Sequence, residues 1–189
     1  MAISENSPGL SYNLKTILLG DGYVGKTSLR RRFMGLGYNT TYLETLGADF
    51  AIKKGDYNGV PFRYQIWDLA GQPRFDALRK GFFTGSQAAL ICFDVSNPKS
   101  AENIDKWVDE FWKFNGRGKI PLVIIGNKID LREEIDNALE YDDGMRIVGR
   151  IDAPFKVNYV ETSAKTGDNV NKAFVELTRA FVEFNKIDI

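Results

Sequence analysis

The chain has 189 residues, of which 43% are hydrophobic and 26% are charged, as expected for one globular domain with its own core. Its 25 basic and 25 acidic residues give a formal net charge of zero, so no long-range field is expected to attract nucleic acid or an anionic membrane. The absence of histidine excludes a Ser-His-Asp triad and zinc sites with histidine ligands, and a single cysteine, Cys92, excludes an internal disulfide.

Residues 1–12 are polar and contain a Ser-Pro-Gly sequence, which predicts a flexible N-terminal leader. From residue 13 onward there is no linker, repeat or low-complexity tract, so residues 13–189 are expected to form one domain. No segment is apolar over the roughly 18 residues that a membrane span needs, and the C-terminus has no cysteine to prenylate. We therefore expect a cytoplasmic protein without a membrane anchor in this chain, and peripheral membrane association if a C-terminal tail has been removed.

Short apolar runs predict six strands along the chain. They are expected at residues 14–19, 47–53, 60–67, 88–94, 122–126 and 157–161. The second and third are separated by Asp-Tyr-Asn-Gly at 56–59, and an Asn-Gly pair between two β-rich runs indicates a hairpin. The fourth and fifth are almost wholly apolar, as is typical of parallel strands covered on both faces.

Amphipathic stretches between these strands predict five helices. They are expected at about 26–35, 74–80, 100–115, 140–150 and 168–184. In the third of them, Ile104, Trp107, Val108 and Phe111 repeat at helical spacing, and Ser100 is placed to cap the N-terminus. The alternation predicts an α/β fold: a six-stranded, mostly parallel sheet with one antiparallel hairpin and helices on both faces, which binds ligands beyond the carboxyl ends of its strands.

The segment at 20–27, GDGYVGKT, follows the first strand, precedes the first helix and matches the phosphate-binding pattern G-x-x-x-x-G-K-S/T. Its glycines allow backbone N–H groups to turn towards a triphosphate, and the helix N-terminus adds a positive dipole. Lys26 can then reach the β- and γ-phosphates, and the Thr27 hydroxyl can bind Mg²⁺. We expect nucleotide contacts from Gly20, Asp21, Gly22, Tyr23, Val24, Gly25, Lys26, Thr27 and Ser28.

Two further motifs follow buried strands. The first is expected to select the base and reads Asn127-Lys128-Ile129-Asp130. The Asp130 carboxylate can accept hydrogen bonds from the two donors on the guanine edge, and the Lys128 stem can lie along the ring. In DLAGQ at 68–72, Asp68 can hold Mg²⁺ through water, the Gly71 N–H can meet the γ-phosphate and Gln72 can orient the attacking water. Each motif alone could also be a solvated turn.

Together these motifs resemble the Ras superfamily, and its Rab branch in particular. WDLAGQPRF at 67–75 is similar to the Rab pattern WDTAGQERF, FDVSNPKS at 93–100 resembles a second Rab segment, and ETSAKTG at 161–167 is close to the base-binding motif ETSAK. The resemblance covers about residues 13–185 and implies the P-loop small GTPase fold, with switch loops at 36–47 and 69–80 that order around GTP.

The resemblance also implies site residues that spacing alone does not reveal. Thr45 would bind Mg²⁺ and the γ-phosphate, and Tyr38 would lie against the guanine face. The remaining nucleotide-binding positions implied are Tyr42, Ser163, Ala164 and Lys165. The Ala164 N–H would meet the guanine carbonyl, and Lys165 would help to cover the base.

The implied activity is slow hydrolysis of GTP to GDP and phosphate with Mg²⁺, in which Lys26, Gly71 and Gln72 act on the γ-phosphate. The implied partners are a GTPase-activating protein, an exchange factor and effectors of a monomeric, Rab-like trafficking or signalling switch. Two departures are Pro73, where Rabs carry glutamate, and the bulky Tyr23 in the phosphate loop, which could point outward. A module that binds GTP without hydrolysing it, an ATP-dependent P-loop enzyme and a purely structural domain remain as alternatives.

Overall fold

The strands of the protein form a single sheet. The computed structural model describes residues 11–39 and 45–189. The six strands of this part are β1 Tyr12–Leu19, β2 Ala48–Tyr57, β3 Val60–Leu69, β4 Ala88–Asp94, β5 Leu122–Asn127 and β6 Asn158–Thr162. Their spatial order is β2-β3-β1-β4-β5-β6, and β2 alone runs antiparallel to its neighbour. The predicted mixed sheet is therefore confirmed.

The antiparallel pair closes at the predicted Asn-Gly turn. Asn58 and Gly59 both have positive φ, 52° and 80°, as a two-residue hairpin loop requires. Both strands are longer than predicted, because pairing continues from Tyr57 opposite Val60 to Ala48 opposite Leu69. Two lysines interrupt the apolar pattern of β2. Lys54 is exposed at this edge of the sheet, whereas Lys53 is partly buried and donates to the carbonyl of Phe33.

Helices cover both faces of the sheet. They are α1 Lys26–Phe33, α2 Asp76–Phe83, α3 Pro98–Glu102, α4 Ile104–Phe114, α5 Tyr141–Arg150 and α6 Val170–Phe184. One apolar cluster joins α1 and α6 to the sheet through residues such as Leu29, Phe33 and Phe174. A second joins the other face to α2, α3, α4 and α5, with Phe83 and Phe111 at its centre. Within the described residues, no helix combines the length and the apolarity that a membrane crossing demands.

The prediction that Ser100 caps one continuous helix over 100–115 is wrong. The segment contains two helices, and Ser100 lies inside the first of them, which begins with Pro98 at a position where proline suits a helix start. The Ser100 hydroxyl donates to the carbonyl of Asn97 at 2.7 Å and accepts from the N–H of Asp94 at 3.0 Å. This buried serine therefore ties the helix back to the end of β4 instead of capping it.

Candidate nucleotide-binding site

Four segments of the predicted site lie at the carboxyl ends of parallel strands of the sheet. The phosphate loop follows β1, Asp68 lies near the end of β3, Asn127 ends β5, and Ser163 follows β6. These strand ends meet at one edge of the sheet, which is where open α/β sheets bind ligands. The topology therefore brings together motifs that are more than 100 residues apart in the sequence.

The phosphate loop depends on two glycines for its shape. Gly20 has a φ of 131°, and a Cβ there would overlap the carbonyl of Cys92 on β4. Gly25 has a φ of 97°, directly precedes α1, and would place a Cβ against the carboxamide of Asn127. Neither position tolerates another residue without strain. Tyr23 also has a positive φ, and its side chain is 61% exposed, so the bulky residue points outward.

Lys26 lies inside this loop. It is 6% exposed, and its Nζ donates to the carbonyls of Gly20 at 2.8 Å and Asp21 at 2.6 Å. Burial lowers the pKa of this ammonium, and the nearby Asp68 carboxylate opposes the shift. A desolvated cation anchored to the loop in this way interacts more strongly with phosphate than one in open water.

The side chain of Asp21 points away from the loop interior. Its carboxylate accepts hydrogen bonds from Asn103 Nδ2 at 2.7 Å and Trp107 Nε1 at 2.8 Å, both on the α3–α4 segment. The predicted nucleotide contact at this position therefore rests on the backbone, and the side chain anchors the loop to α4. The sequence offered no sign of this anchor, because its partners lie far along the chain.

Three oxygen-bearing side chains predicted to bind Mg²⁺ converge below the loop. Thr27 Oγ1 donates to Asp68 Oδ2 at 2.6 Å and lies 2.9 Å from Thr45 Oγ1. Asp68 is fully buried, its Oδ1 has no hydrogen-bond partner among the described residues, and burial raises its pKa against the Thr27 hydrogen bond. A buried, incompletely paired carboxylate beside two hydroxyls is a set of hard oxygen ligands, which fits Mg²⁺.

The residues predicted to act on the γ-phosphate lie against the loop. A Cβ on Gly71 would overlap the backbone of Gly20 and Asp21, so only glycine allows this approach. Gln72 faces Gly22, with its Nε2 3.5 Å from where a Cβ on Gly22 would stand, and its Oε1 is buried without a hydrogen-bond partner in the described chain. These residues border a narrow cavity of about 30 Å³, lined by Gly22, Tyr23, Gly25, Lys26, Thr27, Ser28, Thr45, Leu69, Ala70, Gly71 and Gln72.

A wider cavity of about 410 Å³ continues from this narrow one towards β5 and β6. Its lining consists of Gly25, Ser28, Tyr38, Asn127, Lys128, Asp130, Leu131, Ala164 and Lys165. The volume falls within the range of small-molecule sites. Residues predicted to contact phosphate and residues predicted to contact the base therefore surround adjoining spaces. Tyr42, and with it residues 40–44 of the first predicted switch loop, lies outside the described residues.

Asn127 links three segments of the site. Its Nδ2 donates to the carbonyl of Val24 in the phosphate loop at 2.8 Å. Its Oδ1 accepts from Thr162 Oγ1 at 3.0 Å and from the backbone N–H of Ala164 at 3.1 Å. A guanine carbonyl that binds the Ala164 N–H would have to share or replace the bond to Asn127.

Asp130 and Lys128 are both held in place by neighbours. Asp130 Oδ1 accepts from the Ser163 hydroxyl at 2.5 Å, and Lys165 Nζ lies 3.6 Å from Oδ2. Lys128, in the left-handed region with a φ of 69°, pairs with Asp94 at 2.6 Å. The carboxylate that is expected to read the base is thus oriented by the motif that follows β6.

Two arginines that the sequence reading missed support the site. Arg32 on α1 donates to the carbonyl of Ala164 at 3.0 Å and to that of Lys165. It therefore holds the loop after β6, which lines the wider cavity. Arg79 on α2 is 2% exposed and donates to the carbonyl of Ala70 at 3.0 Å. A basic residue on the inward face of a predicted helix is the only signal in the sequence that could have pointed to Arg79.

Comparisons with known proteins show the family to which the chain belongs. A sequence model of the Ras family matches residues 15–183. The chain is 38% identical to the Ypt/Rab-type GTPase YPT7 of Saccharomyces cerevisiae, covering 93% of this chain and 84% of the relative. It is 37% identical to Rab-7a of Dictyostelium discoideum (88% and 81%) and 34% identical to Rab-8 of Diplobatis ommata (89% and 77%). The chain therefore belongs to the Ras family, as a Rab-like small GTPase that binds and hydrolyses GTP.

Proposed function

We propose that the two adjoining cavities hold one guanine nucleotide, with the phosphates at Lys26 and the base at Asp130. The observation that carries this proposal is the convergence of a buried lysine, a buried and incompletely paired carboxylate and a 410 Å³ cavity at one edge of the sheet. The Asp130 carboxylate accepts hydrogen bonds from both donors of the guanine edge, whereas adenine does not present that pair. Tyr38 and Lys128 cover the two faces of the ring.

Thr27 and Thr45 would hold Mg²⁺ directly beside the phosphates, and Asp68 would hold it through water. When bound, the ion neutralises part of the phosphate charge and orients the oxygens for in-line displacement. The buried and otherwise unpaired Oδ1 of Asp68 supports this assignment. Among the described residues, no group of three or more acidic or thiol side chains could hold a metal ion by itself. Hydroxyl, water and phosphate oxygens would therefore complete the ligand set.

Gln72 orients the water that attacks the γ-phosphate, and its position against Gly22 supports that role. Lys26 and the Gly71 N–H stabilise the charge that develops on the γ-phosphate oxygens. Pro73 follows directly and begins a short 3₁₀ turn over Pro73–Phe75, where proline is well tolerated because that N–H has no partner within the turn. The proline therefore suits the start of this turn and restricts the backbone directly after Gln72.

The switch loops report the nucleotide state to protein partners through an apolar surface. Leu46 and Leu78 are 76% and 53% exposed, and Phe50 packs against Trp67, which in turn packs against Phe82. Exposed apolar side chains grouped beside a ligand site are typical of a protein-binding surface. Effectors, an exchange factor and an activating protein that supplies an arginine would bind here. The Rab names of the relatives favour a role in membrane trafficking.

The first test is to denature the protein as purified and to identify the released nucleotide by ion-pair chromatography. We expect mostly GDP, because tight binding followed by hydrolysis leaves the product in the site. GTP alone would favour a binding module that does not hydrolyse it. ADP or ATP would overturn the assignment of Asp130. An empty protein would be titrated with fluorescent GDP and Mg²⁺, and failure to bind would contradict the proposal.

A further inference from the structure

Arg79 is a buried arginine with partners on three segments. Its guanidinium donates to Glu110 Oε1 on α4 at 3.2 Å, to Asp76 Oδ1 at 2.6 Å and to the carbonyl of Ala70 at 3.0 Å. It also lies 4.4 Å above the ring of Trp107. Arg79 is 2% exposed and the Glu110 side chain 9%, so this ion pair is shielded from solvent and from salt. A guanidinium bound on several sides is fixed in orientation.

The bond to Ala70 has a direct consequence for the next residue. The carbonyl of Ala70 and the N–H of Gly71 belong to one planar trans peptide, and they point in opposite directions. Holding the carbonyl therefore sets the direction of the Gly71 N–H. On its other side, the Ala70 N–H donates to the carbonyl of Gly47 at 2.9 Å. The segment is thus held from both sides just before Gly71 and Gln72.

The same cluster reaches the phosphate loop. Trp107, which supports the Arg79 guanidinium with its ring, donates from Nε1 to Asp21 Oδ1. Asp21 in turn gives its backbone carbonyl to Lys26. The start of the second switch loop, helix α4 and the phosphate loop are therefore connected by contacts between buried or partly buried side chains. We call Asp21, Arg79, Trp107 and Glu110 the α4 clamp.

We propose that Arg79 is a positioning residue for GTP hydrolysis, acting through the α4 clamp to aim the Gly71 N–H and the neighbouring Gln72 at the γ-phosphate. This inference rests on the proposed function of the site. It predicts different effects on the two nucleotides, because GDP has no γ-phosphate to accept a hydrogen bond from the Gly71 N–H. Loss of Arg79 must therefore affect GTP far more than GDP.

The test uses the full chain and a double variant, Arg79→Met with Glu110→Met, which avoids leaving a shielded carboxylate unpaired. We expect single-turnover GTP hydrolysis to slow about tenfold, and release of a fluorescent imido analogue of GTP to accelerate about tenfold, as for loss of one charge-assisted hydrogen bond. Release of fluorescent GDP should change by less than about twofold. Arg79→Lys should be intermediate, since a lysine can reach one acceptor but cannot form the guanidinium fork.

A matched control, Asp109→Met with Lys113→Met, removes one acid and one base from the exposed face of α4, the helix that carries Glu110. It should behave like the unmodified chain. Hydrolysis and analogue release at unmodified rates in the Arg79 and Glu110 variant would overturn the inference. A parallel acceleration of GDP and analogue release would also overturn it, because that result indicates general loosening. If the unmodified chain binds neither nucleotide, the proposed function itself has failed, which is a distinguishable result.

Discussion

Asp130 offers a chemical test of base recognition, because its role depends on accepting two hydrogen bonds. Asp130→Asn replaces one acceptor oxygen with a donor, so one guanine donor is left facing an N–H group. We expect GDP affinity to fall by roughly 100-fold or more. Xanthine carries a carbonyl where guanine carries the exocyclic amine, so xanthosine diphosphate should bind the variant better than GDP does. Competition against fluorescent GDP measures both effects.

The control for this substitution is Asp136→Asn, which changes an exposed acid farther along the same connection. It should leave both affinities unchanged. Retention of full GDP affinity by Asp130→Asn would show that the carboxylate held by Ser163 at 2.5 Å serves only the loop structure.

Gln72 allows hydrolysis to be separated from binding. Gln72→Leu keeps the approximate volume against Gly22 but removes the amide that orients water. We expect single-turnover hydrolysis to slow roughly ten- to hundredfold, since misplacement of a reactant costs rates of that order. GDP release should stay within about twofold, because Gln72 lines the narrow cavity proposed for the γ-phosphate, which GDP lacks. Unchanged hydrolysis would remove Gln72 from the mechanism.

At the scale of single residues, the sequence could identify those whose role follows from a local pattern. Lys26, Asp68 and Asp130 each stand at a fixed place in a short motif at or just beyond the end of a strand. The roles of Arg79 and Asp21 could not be interpreted in this way. Glu110, which joins Arg79 to α4, lies 31 residues from it, and the side-chain partners of Asp21 lie 82 and 86 residues away. Only the folded chain brings those partners together.

Helix α5 contains two glycines whose replacement should have opposite effects. A Cβ on Gly144 would overlap the ring of Tyr159 on β6, whereas a Cβ on Gly149 meets nothing within 4 Å. Alanine is favoured over glycine inside a helix by up to about 1 kcal/mol. We expect Gly149→Ala to raise the free energy of unfolding by about 0.5–1 kcal/mol, and Gly144→Ala to lower it by about 1–3 kcal/mol through overpacking.

Urea unfolding followed by circular dichroism measures both changes. The two variants control for each other, because they make the same chemical change in the same helix and differ only in the space available. Stabilisation by both would mean that Tyr159 can move aside, although its ring is stacked on Phe93 at a centroid distance of 6.1 Å and its hydroxyl donates to Glu161.

At the scale of helices and strands, the periodic pattern predicted most positions correctly and failed at their ends. The run Ala88–Asp94 was predicted with its observed bounds, because buried parallel strands are continuously apolar. The predicted start of α3 at Ser100 was wrong. The helix begins at Pro98, and the Ser100 hydroxyl donates to the Asn97 carbonyl from within the helix instead of capping its N-terminus. The extension of β2 and β3 could not be inferred either, since a paired edge strand tolerates polar residues.

At the scale of the whole molecule, the sheet that positions the proposed site also carries the single cysteine of the chain, Cys92. Cys92 is fully buried on β4, between β1 and β5, and burial raises its pKa to about 12. Unfolding exposes the thiol and returns its pKa to about 9. Between these values the thiolate forms in the unfolded chain alone, so this group lowers stability as the pH rises from about 9 to about 12.

Cys92 can therefore report unfolding of the whole sheet, and through it the binding of nucleotide. At pH 8 a disulfide reagent such as dithionitrobenzoate should react with the thiol only when the chain unfolds, because β4 is covered on both faces. GDP at about 100 times its dissociation constant should slow this labelling about 100-fold, since a ligand that binds only the folded state reduces the unfolded population by that factor. ADP at the same concentration is the control and should have no effect, because it lacks the two guanine donors that Asp130 accepts. Rapid labelling without denaturant would show that β4 opens locally, and equal protection by ADP would contradict selection of guanine by this site.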